Sequence, residues 1–160
     1  MRISHNIPTA VGVLWIAAAA VLTPQAGAHV GTVPAARVAT AATVSLRSTG
    51  YGKILVDRRG YTLYLWAKDT NDKSGCSGAC LDVTPFVLIS GKPTAGPGVS
   101  QELLGTIKVE GGNEVTYNGS PLYTFVSDFQ PGLILGEGNE PFGGPWWVVS
   151  ATGKAITKKP

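Results

Sequence analysis

Histidine, methionine and cysteine are nearly missing from this chain: its 160 residues hold two His, one Met and two Cys. The histidines are His5 and His29, and the methionine is Met1, so the rest of the chain carries no imidazole and no thioether. A Ser-His-Asp or Cys-His hydrolase needs an imidazole held against its nucleophile, which excludes that chemistry beyond His29. A transition-metal site of the usual imidazole kind is excluded with it. So is a haem held by His or Met, although a Tyr ligand is not. His29 at a newly made N-terminus would offer an amine and a ring to copper, but a stable site needs further ligands and no second imidazole follows. No cofactor is expected.

Charge is sparse as well. Charged residues make up 14% of the chain and the formal net charge is +3. So small an excess of positive charge argues against a nucleic-acid partner or an anionic membrane surface. The end "GKAITKKP", with 154–160 taken as a basic tail, reads as a solubilising terminus.

Only one long apolar run exists, 11–22, about a dozen residues where a spanning helix needs roughly 20. Arg2 precedes it, and Ala26 and Ala28 form an A-x-A site after Pro24. This is the layout of a secretory signal peptide, expected over 1–28 with cleavage after Ala28, or else after Ala35 or Ala41. No integral membrane segment is expected after cleavage. No cysteine lies near the cleavage region, so a lipid attachment point is missing. Residues 29–43 read as a flexible lead-in and 44–153 as one domain, long enough for a real core.

Helical periodicity is the next absence. Glycine and proline punctuate the chain from residue 50 onward, and short alternating runs take the place of helices. "TVSLRS" (43–48), "KILV" (53–56), "YTLYLW" (61–66), "LGTIKV" (104–109), "EVTY" (114–117), "SPLYTF" (120–125) and "WWVVS" (146–150) read as strands. "DRRG" is a turn with Gly60 suited to positive φ, and Asn118-Gly119 is a two-residue hairpin signal. "SQELLG" suggests one helical turn capped by Ser100. The expected fold is all-β, a compact sandwich or barrel built from two tandem strand-turn-strand repeats.

The two cysteines, in "CSGAC", read as a Cys76–Cys80 disulfide in an exported chain. So small a loop contributes roughly 2 kcal/mol and pins one segment. Redox pairs usually have two intervening residues, and no zinc partners lie nearby. The stretch "DTNDKSG" (69–75) lacks the Gly and Glu of a calcium loop. "GEGNEP" (136–141) places Glu137 and Glu140 among glycines, where carboxylates are usually solvated. No catalytic or metal-ligating residue is assigned.

What the chain does have is a word written twice. "TLYLWAKD" (62–69) returns as "PLYTFVSD" (121–128). Setting Tyr64 on Tyr123 also sets Val56 on Val115, Gly60 on Gly119, Leu63 on Leu122, Trp66 on Phe125 and Asp69 on Asp128. Turn and strand move together, as in a duplicated unit, with repeats over about 51–90 and 104–150. Alternation turns each leucine away from its two aromatics. Each Asp can clamp its loop by accepting backbone N–H bonds and can also take a tyrosine hydroxyl. Alternatively Tyr64, Asp69, Tyr123 and Asp128 converge in a pocket between the halves. The adjacent Trp146 and Trp147 face opposite ways on a strand, one inward and the other available for stacking. Tyr64, Trp66, Asp69, Tyr123, Phe125, Asp128, Trp146 and Trp147 are therefore the candidate ligand-binding residues.

These segments, with "LLGTIKVEGGNEVTYNGSPLYTFVSD" and "GGPWWVVS", resemble bacterial secreted-repeat proteins of unknown function, many of them predicted lipoproteins with a Tyr-x-[Phe/Trp/Tyr]-x-x-Asp motif. The resemblance covers about 50–153. It implies an extracytoplasmic bacterial protein with tandem repeats and supplies no activity. Two departures stand out: the lipobox cysteine is missing, and Thr84 stands in "VTPFV" where such proteins usually have Trp-Pro-Pro. The leading expectation is a secreted, non-enzymatic β-domain that binds a small ligand or a cell-envelope component. The alternative is an extracytoplasmic metal- or redox-associated protein using Tyr, Asp and the Cys pair.

Overall fold

The computed structural model describes residues 43–158 and Pro160. The expected signal peptide, its candidate cleavage sites, His29 and nearly all of the expected lead-in lie outside the described residues. Eight short strands carry the fold: β1 Val44–Thr49, β2 Gly52–Asp57, β3 Tyr64–Trp66, β4 Leu88–Ile89, β5 Leu104–Val109, β6 Gly112–Tyr117, β7 Ser120–Pro121 and β8 Trp146–Val148. One short helix, α1 (Ala79–Val83), follows Cys76, and 3-10 turns cover Gln101–Leu103 and Pro141–Gly143. Ser100 precedes the first of these turns as expected, but its side chain makes no capping bond.

The strands form three open sheets. β1 pairs with β2, β3 with β8, and β6 is flanked by β4 and β5 with β7 beside it. No sheet closes on itself, so the fold is sandwich-like and not a barrel.

The two hairpins, β1–β2 and β5–β6, are antiparallel and similar in register, with Leu46 opposite Leu55 and Thr106 opposite Val115. After each hairpin the chain turns back. Asn118 and Gly119 have φ of 51° and 75°, the left-handed pair of a tight two-residue turn. The first turn is built differently. Asp57 Oδ1 accepts the Arg59 and Tyr61 N–H groups at 2.8 and 2.9 Å, and Gly60 takes φ 87°. This turn is one residue longer. Leu63 N–H therefore reaches Leu55 O, while Leu122 N–H reaches Val115 O. The true counterpart of Val115 is Leu55, not Val56 as the glycine-to-glycine alignment has it.

The third segments do not stay with their own repeats. Val149, at the end of the second repeat, accepts the Leu55 N–H of the first repeat at 2.9 Å; Val87, at the end of the first, accepts the Val115 N–H of the second at 2.9 Å. Tyr64 pairs with Val148, and Tyr123 with Phe86. Backbone pairing continues past the expected domain end, with Ile156 N–H on Val148 O at 3.0 Å.

Strand alternation divides the interior in two. Leu55, Leu63, Val115, Tyr117, Leu122 and Val149 fill one cluster. Ile54, Val56, Tyr64, Trp66, Tyr123, Trp146 and Val148 fill the other, together with both cysteines. Both faces of β2 are covered, which is why "KILV" reads as a continuous apolar run. Full burial of a Leu side chain such as Leu63 or Leu122 stabilises by about 1.5–3 kcal/mol.

Candidate functional site

Tyr64 and Tyr123 sit against each other at the junction of the repeats. Each donates its backbone N–H to the other's carbonyl, at 2.9 and 3.0 Å. Equivalent residues that pair with one another mark a local two-fold relation. The same relation carries over to the side chains. Tyr64 O–H donates to Asp128 Oδ2 at 2.7 Å, and Tyr123 O–H donates to Asp69 Oδ2 at 2.7 Å. Each tyrosine is held by the aspartate of the other repeat.

The second oxygen of each aspartate clamps its own loop. Asp69 Oδ1 accepts the Gly75 N–H and Asp128 Oδ1 the Leu135 N–H, both at 2.8 Å. The sequence offered loop clamps and a convergent pocket as alternatives; the two carboxylates clamp their loops and also accept the tyrosine hydroxyls of the other repeat. Asp128 is 2% exposed, while Asp69 is half-buried. The Tyr123 hydroxyl also meets Ser74 Oγ at 2.7 Å, and the Tyr64 hydroxyl accepts the Gly136 N–H at 3.2 Å.

Burial, and then the neighbouring carboxylates, push both phenols far above the ordinary tyrosine range. Both therefore hold their protons and act as donors. Burial also raises Asp69, a shift that the Gly75 N–H and the Tyr123 hydroxyl oppose.

Trp146 packs into this junction. Its ring stacks on Trp66 with centroids 5.3 Å apart and planes 5° apart, and meets Tyr123 edge-on at 4.9 Å. Trp66 Nε1 donates to Gly144 O at 3.0 Å, and Lys68 Nζ lies 5.4 Å above the Trp66 ring. Phe125 is half-buried and stands edge-on to Tyr64. Trp147 is not part of the junction. It points the other way from β8, its backbone pairs with Leu65, and it is half-covered and not freely exposed.

Cys76 and Cys80 are joined, with Cα atoms 5.5 Å apart, and both are buried. Thr84 donates to Cys80 O at 2.8 Å, closing α1 onto the core. Glu137 is not solvated as its Gly-rich loop suggests: Oε2 accepts the Val148 N–H at 2.6 Å. Glu140 is exposed. Among the described residues no group of three or more His, Cys, Asp or Glu could hold a metal ion.

One residue escaped the sequence reading. Glu114 on β6 is fully buried, and neither carboxylate oxygen has a partner. Burial, with the Asp69 carboxylate nearby, pushes it up to about 9, so at neutral pH it is a neutral acid. In the hairpin register its counterpart is Ile54, a fully buried core residue. Aligning the repeats was the available signal, because it sets a glutamate against an apolar strand position.

A family model described as a secreted repeat of unknown function matches twice, over residues 45–87 and 105–150. The chain belongs to that family. The two matches coincide with the two structural repeats, including the segments that cross between them. No match was found among curated proteins or among solved structures. Among the described residues no helix is long and apolar enough to cross a membrane.

Proposed function

We propose that this secreted-repeat protein works outside the cytoplasm as a non-catalytic binding domain associated with the cell envelope, and that its repeated Tyr/Asp motif is a structural clasp. The observation that supports this most is the crosswise bonding of Tyr64 to Asp128 and Tyr123 to Asp69. Both hydroxyls are donated, and both aspartates also hold backbone N–H groups. Such groups stabilise the fold and leave no activated nucleophile or general base. The metal- or redox-associated alternative has no observation in its favour.

Room for a partner lies elsewhere, in an open groove of about 800 Å³ beside β4. Arg58, Lys92, Phe86 and the half-exposed Leu88 line it, a mixture of cationic and apolar surface. The test pairs native with denatured mass of the protein secreted by its host, and adds co-sedimentation with purified envelope fragments. A reproducible retained mass or salt-sensitive co-sedimentation supports the binding reading. A native mass equal to the denatured mass, with the protein left in the supernatant, contradicts it.

A further inference from the structure

β4 is the edge strand of its sheet: β6 lies on one side and, among the described residues, no strand pairs with the other. Val87, just before it, turns both of its backbone groups inward. Its N–H donates to Leu122 O at 3.1 Å, and its carbonyl accepts the Val115 N–H at 2.9 Å. Backbone groups alternate sides along a strand, so those of Phe86 and Leu88 point outward. Leu88 N–H returns locally to Phe86 O at 3.1 Å, which leaves the Phe86 N–H and the Leu88 carbonyl on the open edge. Such an edge is a template for one more strand.

The open groove of about 800 Å³ is lined by Phe86 and Leu88 from this edge, and by Asp57, Arg58, Arg59 and Lys92 from the segments around it. Asp57 is the one acidic residue of that lining, and its carboxylate is already used. Oδ2 holds Arg59 Nε at 3.2 Å, and Oδ1 accepts the two N–H groups of the turn. Arg58 and Lys92 are exposed, and among the described residues neither has an acidic partner. The groove therefore combines unpaired backbone groups, an apolar surface at Leu88 and an uncompensated positive charge.

We infer that the groove takes an extended acidic segment of a partner protein, which adds a strand to β4. Main-chain bonds to the Phe86 N–H and the Leu88 carbonyl supply adhesion, and alternate side chains supply specificity. Carboxylates meet Arg58 and Lys92 in charge-assisted bonds, and an apolar residue covers Leu88. The frame is organised before binding, because Thr43 N–H on Thr94 O at 2.8 Å pins the chain after β4 to the start of β1. Charge selects this occupant over two others. A second copy paired β4 to β4 would set like cations against each other. Residues 29–42 of this chain contain no Asp or Glu. The inference rests on the binding reading and narrows it to one class of partner.

The test is a titration of the full secreted protein with the capped peptide Thr-Glu-Val-Glu-Val-Glu-Thr, followed by amide NMR and intermolecular NOEs. Saturable shifts at Phe86, Leu88 and Ser90 are expected, with NOEs between the peptide and β4 backbones and Kd on the order of 0.1 mM. Replacing every Glu of the peptide by Gln is expected to weaken binding by about tenfold or more, and so is Arg58→Glu combined with Lys92→Glu. No saturation by about 5 mM peptide, binding without backbone NOEs, or binding indifferent to those charges overturns the inference. Saturable binding of inorganic polyphosphate at the same residues, with the peptide inert, makes the groove a polyanion site and overturns it as well. If the double variant does not fold, the Gln peptide decides alone. An inert peptide with envelope co-sedimentation retained would overturn this inference and leave the binding reading standing.

Discussion

The hydroxyl of Tyr64 donates to the carboxylate of Asp128 across 2.7 Å of buried interior, although the two residues belong to different repeats. With Tyr123 and Asp69 in the mirror arrangement, each motif is completed by the other. Repetition of the motif therefore follows from the architecture: a single copy would leave a donor and an acceptor unpaired.

Removing the Tyr64 hydroxyl leaves Asp128 Oδ2 buried and without that donor. Tyr64→Phe is expected to cost about 1–3 kcal/mol, read by urea denaturation. Tyr123→Phe should lie at the low end of that range, because Asp69 is half-buried and water can replace the lost donor.

Glu114 makes stability fall with rising pH. Its acid is held up to about 9 in the fold against 4.5 ordinarily, so the folded protein binds more protons than the unfolded chain between those values. The contribution is fully present below about 4.5 and is lost as pH rises toward about 9. The upward shift of Asp69 acts in the same direction at the acidic end. Glu114→Ile, which copies Ile54, should flatten the profile and add about 1–3 kcal/mol near neutrality, measured by denaturation across that pH range.

Neither repeat should fold alone. Without Val149 the Leu55 N–H loses its acceptor, and without Val87 the Val115 N–H does. Fragments 43–97 and 98–160 are each expected to show no cooperative thermal transition. Mixing them should restore one, as followed by circular dichroism.

Much of this was legible beforehand because strand chemistry is local. "LGTIKV" matches β5 in both bounds, Asn118-Gly119 forms the expected turn, and Leu63 and Leu122 fill the cluster opposite their neighbouring tyrosines. The convergence of the Tyr and Asp residues was stated as one option. Which aspartate serves which tyrosine was not legible, since a period of two assigns a face but not a partner. Glu114 was missed because alternation marks a charged residue as solvent-facing, whereas both faces of β6 are covered here. Thr84 was noticed as a departure, but its buried bond to Cys80 O depends on how α1 closes onto the core, which the sequence does not spell out.

The most direct measurement is a pair of double-mutant cycles in urea denaturation, Tyr64→Phe with Asp128→Ala and Tyr64→Phe with Asp69→Ala. A crosswise clasp gives a coupling of about 1–3 kcal/mol for Tyr64 with Asp128 and close to zero for Tyr64 with Asp69 of its own repeat. Coupling to Asp69 instead, or none to Asp128, would contradict it.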